Sequence, residues 1–384
     1  MRFIKKIVLL ATCYLLLATH SKAQDSSHIR ISLLTCSPGD ELYSTFGHSA
    51  LRVVDSISLT DIVYNYGTFN FGDKNFYIKF TRGKLLYYLS DEDFEDFKSE
   101  YQADNRAMIE QVLNFPAAQK IKIEDDLINN LKDENKYYKY DFFFDNCTTR
   151  LRDIIKNNET PKPVFKPVMP AGTTFRQAFY QYLDSGKEYW SKLGIDIFLG
   201  AKTDAVMTTE QSQYLPINLM RSLDSINNTT HLVISETNLY PVNSTVAESS
   251  LFTPFKLFTS ILVIIILLSL SKNNIIKIFL QGFDGLLFFF IGLLGILLIL
   301  MWTATDHRLC ADNYNLLWAW PTHVIMAFFI NSKKNWAKKY YQANAIVLTV
   351  LLLAWAFLPQ QMNNDLIPIV LLLIYRSAHA YLKR

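Results

Sequence analysis

The sequence predicts two joined parts, a globular domain of strands and helices followed by a bundle of about five membrane-spanning helices. From Gln24 to about Ser250 the chain mixes polar and apolar residues and is long enough for one substantial core. From Phe252 onward apolar stretches recur near 254–271, 278–302, 315–331, 343–358 and 366–382, most of them close to the roughly twenty residues that a bilayer-spanning helix needs. Basic residues gather where such a bundle would place its inner ends.

Residues 1–23 read as a secretory signal. Arg2, Lys5 and Lys6 precede an apolar run from Ile7 to Ala18, and Ser21-Lys22-Ala23 offers a small-residue cleavage site before Gln24. Cys13 lies inside the apolar run, a poor place for lipidation, so the mature chain is expected to start at Gln24 in an exported compartment. His28 to Leu34 then alternates as a strand does, and Ser37-Pro38-Gly39-Asp40 breaks it. Glu41 to Phe46 suits a short helix or turn. His48 to Val54 alternates again, and Ile62 to Tyr66 follows as the second strand of a hairpin.

Residues 91–113, with acidic residues in their first turns, and 117–131 both look helical. Tyr137 to Phe144 is aromatic and strand-like, directly before a helix that starts near Cys147. The prolines between Pro161 and Pro170 make that stretch an extended connection. Thr174 to Leu183 predicts a helix, and Trp190 to Leu199 contains a Gly-Ile-Asp-Ile-Phe-Leu-Gly run that continues to Gly200. Residues 224–250, rich in Asn, Ser and Thr, read as a short strand region or a linker to the membrane, giving a soluble domain over 24–250 and a membrane domain over 251–384. No internal repeat is present.

If the soluble domain is outside, the first span runs inward and the next loop carries Lys272 and Lys277. The third span then ends at Lys333, Lys334, Lys338 and Lys339, and the fifth at Arg376, Lys383 and Arg384. The outer loops 303–314 and 359–365 hold only Arg308 between them, as the charge rule for membrane topology requires. A net charge of +3, with no aromatic-interleaved basic patch, argues against a nucleic-acid partner. Cys36, Cys147 and Cys310 remain in the mature chain, and an odd count in an oxidising compartment predicts at least one free thiol; a Cys36–Cys147 disulfide is the alternative.

The chemistry concentrates in two segments. Gly47-His48-Ser49-Ala50-Leu51-Arg52 sets a histidine at the head of a strand, and Asp145-Asn146-Cys147-Thr148-Thr149-Arg150 sets a cysteine where a helix begins. A helix N-terminus and a nearby imidazole both stabilise a thiolate, which makes a thiol a useful nucleophile. Asp145 or Asn146 can cap the helix, and His48 would take and return the proton. The plainer readings are a buried structural thiol and an ordinary histidine. Arg150, with Arg152, is a candidate for a lipid phosphate, or for a salt-bridged helix face. Asp306 and His307 at the outer membrane face are candidates for substrate headgroups or for anchoring a loop. Asp284 lies within the second span, where a carboxylate is a functional candidate or pairs with another helix. Asp40 and Glu41 have no partner histidines at ligand spacing, so no metal is predicted.

Cys36-Ser37-Pro38-Gly39-Asp40-Glu41, then Phe46 to Arg52, then Asp145 to Asp153 together resemble the Lnb N-terminal periplasmic domain family over most of residues 30–220. The membrane part, with Thr305-Asp306-His307 and Asn313 to Trp318, is similar to that family's C-terminal half. The resemblance implies an α+β, permuted papain-like fold of the NlpC type, with histidine before cysteine as in the lecithin:retinol acyltransferase group. It also implies an inner-membrane lipoprotein N-acyltransferase in which Cys147 is the nucleophile and His48 the base. The acyl donor would be a membrane phospholipid and the acceptor the α-amine of a lipoprotein's diacylglyceryl cysteine, with no cofactor. Papain-like sites orient the histidine with a polar residue on a neighbouring strand, and Asn65 is best placed for this, with Glu41 next. A membrane-tethered thiol peptidase or amidase, and a non-catalytic scaffold or sensor, are the competing functions.

Overall fold

The computed structural model describes residues 27–41, 43–224, 231–241 and 252–382, so the expected signal segment and its cleavage site lie outside the described residues. Strands β1 (Ile29–Cys36), β2 (His48–Asp55), β3 (Thr60–Thr68), β4 (Leu86–Asp93), β5 (Met108–Leu113), β6 (Tyr137–Lys139) and β7 (Val233–Tyr240) form one sheet of seven strands. Its order is β6-β4-β3-β2-β1-β5-β7, and neighbours run antiparallel. Among the described residues the helices of six or more residues in this part are α1 (Phe76–Thr81), α2 (Phe94–Ala103), α3 (Ala117–Asn130), α4 (Cys147–Asn158), α5 (Phe175–Ser185), α6 (Tyr189–Phe198) and α7 (Pro216–Asp224).

Both faces of the sheet are covered, which is why β1 is buried almost throughout. Ile31, Leu33, Leu51 and Val53 pack with Ile123 and Leu127 of α3, Leu151 and Ile155 of α4, and Leu219 of α7. Leu34, Ala50 and Val63 face the other way, onto Phe94, Phe97 and Tyr101 of α2. The register sets Cys36 opposite His48 and Asn65 opposite Ser90, and so fixes which side chains meet at one end of the sheet.

Residues 91–113 correct the expectation of one helix. β4 runs on to Asp93, α2 occupies only Phe94–Ala103, and the chain turns through Asn105, at a φ of 51°, into β5. Phe94, Phe97 and Tyr101 hold helical spacing, but Met108 to Leu113 lies between β1 and β7, where pairing on both edges outweighs local preference. Of the strand-like run 137–144, only Tyr137–Lys139 is strand. Phe143 and Phe144 instead donate their N–H groups to the Asp141 carboxylate in a tight turn.

In the apolar part, α8 (Pro254–Ser269), α9 (Asn274–Thr303), α10 (Asn335–Ala354) and α11 (Ile367–Leu382) follow. Among the described residues three helices are long and apolar enough to cross a membrane: α9, α10 with its extension to Phe357, and α11 with the turn from Asn364. The stretch 315–331 was expected to be one span. It is a series of short helical pieces, Tyr314–Leu317 and Ala327–Phe329 as 3-10 helix and His323–Met326 as a single α turn. Pro321 interrupts it, and its backbone lies directly on α9: a Cβ on Gly295 would sit 2.0 Å from the Ala319 carbonyl, and one on Gly292 2.3 Å from Val324 N. Such irregular backbone is tolerated at membrane depth because protein covers it.

Asp284 of α9 meets Arg376 of α11 inside this bundle, both side chains almost fully buried, and Arg376 also donates to Ser269 of α8 at 2.8 Å. The two parts of the chain are locked together by α6. Leu193 packs in the same cluster as the membrane residues Trp318 and Leu373, and Asn313 donates to the carbonyls of Ile197 and Phe198 at 2.8 and 3.0 Å. Gly200 donates to Leu309 at 2.7 Å, and Asn363 reaches Asp196, which Arg176 and Tyr180 also hold. Asp196 and Arg176 are thus the hub of a buried polar seam between the parts.

Candidate active site

Cys147 is the first residue of α4, and its surroundings explain why the helix starts there. Asn146 accepts from Thr149 N at 2.8 Å, while the Thr149 hydroxyl accepts from Asn146 N at 2.8 Å, a reciprocal cap. The amide of Asn146 further donates to the carbonyls of Phe142 and Tyr214 at 2.9 Å, pinning the cap to its neighbours. Of the two residues the sequence offered as caps, Asp145 is engaged elsewhere: it takes both nitrogens of the Arg150 fork at 2.7 and 2.9 Å. With Thr149 N committed, helix geometry leaves the N–H groups of Cys147 and Thr148 without an intrahelical acceptor, pointing toward the helix entrance.

His48 opens β2 after Gly47, whose φ of +78° and whose 2.7 Å approach to the Cys36 carbonyl, measured from a notional Cβ, admit only glycine. Its Nε2 lies 2.7 Å from Oδ1 of Asn65, on the adjoining β3. An amide oxygen only accepts, so Nε2 carries the proton and Nδ1 is the nitrogen left to exchange a proton with the sulfur. Gly67, two residues beyond Asn65, brings the three together. A Cβ there would be 3.6 Å from Cys147 Cβ and 3.9 Å from the His48 ring.

Electrostatics support a reactive pair. Burial pushes the Cys147 thiol up, but His48 as a charge and as a hydrogen-bond donor, the Ser49 N–H and the Thr148 hydroxyl outweigh it, so its pKa falls to about 7. Burial alone would discharge His48. The neighbouring Cys147 thiolate and the bonds to Cys147 and Asn65 outweigh it and raise its pKa above the ordinary value. Such coupling is what a thiolate–imidazolium pair requires.

Asn65→Ala is expected to shift the acid limb of Cys147 alkylation, measured with iodoacetamide across pH, to higher pH, and to lower turnover roughly ten- to a hundredfold. The sign follows from the charges. Asn65 favours the imidazolium, so its loss lowers the proton affinity of His48, removes part of the thiolate's countercharge and raises the thiol pKa. An unmoved limb would leave Asn65 with no orienting role.

The structure therefore brings Cys147, His48 and Asn65 together. Glu41 is an exposed turn residue whose carbonyl accepts from Ser44. Arg150 lies 3.6 Å from the Tyr138 ring besides its pairing with Asp145. Asp306 pairs with Lys139 at 3.2 Å, and His307 Nε2 meets the Phe80 carbonyl at 3.0 Å, so both join the two parts of the chain. The Cys36–Cys147 disulfide is corrected: both thiols are free, and burial pushes Cys36 up to about 12. Among the described residues no cluster of His, Cys, Asp and Glu would hold a metal ion.

Sequence reasoning missed Gly67, Ser49, Thr148 and Glu92. Glu92 of β4 lies diagonal to Asn65; burial and then the charge of Glu100 raise its pKa, while a bond from the Asn65 side chain holds it back. Gly67, directly after an alternating aromatic strand, was the one legible signal, because a glycine there marks a close backbone approach.

Two family models match the chain, the Lnb N-terminal periplasmic domain over residues 18–178 and the Lnb transmembrane domain over residues 246–384. No curated protein and no solved structure matches it.

Proposed function

Because the chain is an Lnb-type protein, a membrane protein with a periplasmic domain, we propose that it is a lipoprotein N-acyltransferase of the bacterial inner membrane, with a permuted papain-like arrangement of His48 before Cys147. The supporting observation is the Cys147–His48–Asn65 constellation at a helix start, in a domain joined by a buried seam to a membrane bundle. A freely soluble hydrolase has no use for that attachment.

In this reading the Cys147 thiolate attacks an ester carbonyl of a phospholipid. The new C–S bond forms as the C–O bond breaks, the lysophospholipid alkoxide takes the proton from His48, and a thioester remains. The free N–H groups of Cys147 and Thr148 are placed to stabilise the oxyanion that precedes it. The α-amine of a diacylglyceryl cysteine then attacks the thioester, His48 takes the amine proton, and the C–S bond breaks to restore the thiolate. Holding donor and acceptor in one leaflet beside the domain supplies proximity and orientation.

The test is the full chain in phosphatidylethanolamine vesicles with a synthetic diacylglyceryl-cysteine peptide, followed by mass spectrometry. One added acyl chain per peptide, with an equal amount of lysophospholipid, is expected. Free fatty acid without acylated peptide, or cleavage of the peptide or of cell-wall fragments with its lipid mass unchanged, would overturn the proposal in favour of a hydrolase or peptidase.

A further inference from the structure

The connection between β3 and β4 carries large apolar side chains that the globular domain leaves uncovered. Phe71 is 65% exposed, and on α1 Tyr77, Ile78 and Phe80 are 79%, 61% and 52% exposed. Phe71, Tyr77 and Phe80 all meet the Phe76 ring, and exposed apolar side chains gathered in this way mark an interaction surface.

The same segment is fastened to the end of a membrane helix. Asp306 N donates to the Arg82 carbonyl at 3.0 Å, and His307 meets the Phe80 carbonyl at 3.0 Å. A Cβ on Gly83 would lie 3.2 Å from that of Asp306, and Asp306 follows closely on Thr303, the last residue of α9. A helix of six residues is only about 9 Å long. All of α1 therefore lies near the Thr303 end of α9. Lys74, Arg82 and Lys84 are exposed around it, giving the mixture of aromatic and basic residues that favours the membrane interface.

Behind this surface a file of rings leads inward. Phe80 stacks on Phe76 at 6.2 Å, Phe76 meets Phe69 at 5.8 Å, Phe69 meets Tyr87 at 5.1 Å, and Tyr87 stacks on Tyr140 at 4.3 Å. Phe76, Tyr87 and Cys147 belong to one apolar cluster, against which Phe69 and Tyr140 pack. The uncovered patch and the nucleophile are thus the two ends of one continuous apolar body.

We propose that residues 69–84 form a membrane-docking element. Tyr77, Ile78 and Phe80 rest in the phospholipid interface beside α9, the basic residues face lipid phosphates, and the aromatic file is the wall along which a donor acyl chain reaches Cys147. The delivery role rests on the acyl-transfer reading; the docking role stands without it. The occupant is a phospholipid leaflet rather than a protein, because the patch is held at the end of a membrane span by its own backbone.

The full chain, carrying benzoylphenylalanine in place of Tyr77, is irradiated in vesicles of phosphatidylethanolamine and phosphatidylglycerol. A phospholipid adduct is expected there and not with benzoylphenylalanine in place of Ile57, which is 74% exposed in the turn at the far end of β2. Equal yields at the two positions, or an adduct to a second copy of the chain, would overturn docking. For delivery, Tyr77→Ser, Ile78→Ser and Phe80→Ser combined should lower turnover of vesicle phospholipid, relative to a soluble short-chain ester, by roughly tenfold or more. An equal fall on both donors would overturn delivery, and a wild-type chain inactive on both removes the acyl-transfer reading and delivery with it while the adduct still decides docking.

Discussion

Cys147→Ala should reduce peptide acylation to background, a loss of roughly a thousandfold or more, in protein that inserts at the wild-type level. The fold has little reason to respond. Alanine is the best helix former, and the cap formed by Asn146 and Thr149 uses neither the sulfur nor the Cys147 side chain. Cys147 is 7% exposed and lies against Gly67 and His48, so the substitution removes the sulfur beside the imidazole and only one heavy atom from the apolar cluster around it.

His48→Ala should cost roughly a hundred- to ten-thousandfold, since it removes both the proton carrier and the thiolate's countercharge. Burial then dominates at Cys147, its pKa rises from about 7, and alkylation at neutral pH slows. The double variant should be no worse than Cys147→Ala, because the two residues act as one unit. Wild-type chain given phospholipid but no amine should accumulate an acyl thioester on the peptide that contains Cys147, visible by mass and released by hydroxylamine. Acylation that survives loss of the thiol would falsify the mechanism.

The second large effect belongs to stability. Asp284→Leu should destabilise the bundle by about 3–5 kcal/mol, because it leaves the buried charge of Arg376 without its carboxylate. Arg376 also reaches Ser269, so the loss propagates to α8, α9 and α11 together. Replacing both, as Asp284→Leu with Arg376→Met, should recover most of that stability, since a pair of apolar side chains carries no desolvation cost in lipid. Thermal unfolding of the detergent-solubilised chain, monitored by near-UV circular dichroism, checks both. A single variant as stable as the wild type, or a double variant no better than the single, would contradict the pairing role.

Much of the site was legible because capping and thiolate stabilisation act within a few residues of the chain. Asn146 before Cys147, with a threonine at the third helical position, is a local signature that predicts where the sulfur stands. Asn65 was legible only as the polar residue of the adjoining strand. Residues 91–113 were misread because Met108 to Leu113 owes its conformation to β1 and β7, strands distant in sequence. Residues 315–331 are broken into short helical pieces that hydropathy does not show, for a related reason: it counts apolar side chains and carries no trace of the contact between the Ala319 backbone and Gly295.

The sequence by itself determined the division into an exported domain and an apolar bundle, together with the cysteine at a helix start and the histidine at a strand head, because composition and local hydrogen bonding are written along the chain. Tertiary structure alone decided the register that sets Asn65 beside His48, the Asp284–Arg376 pair and the fastening of Phe80 and Arg82 to the end of α9. Each of these joins elements from different parts of the chain, and such contacts exist only once the sheet and the bundle have packed.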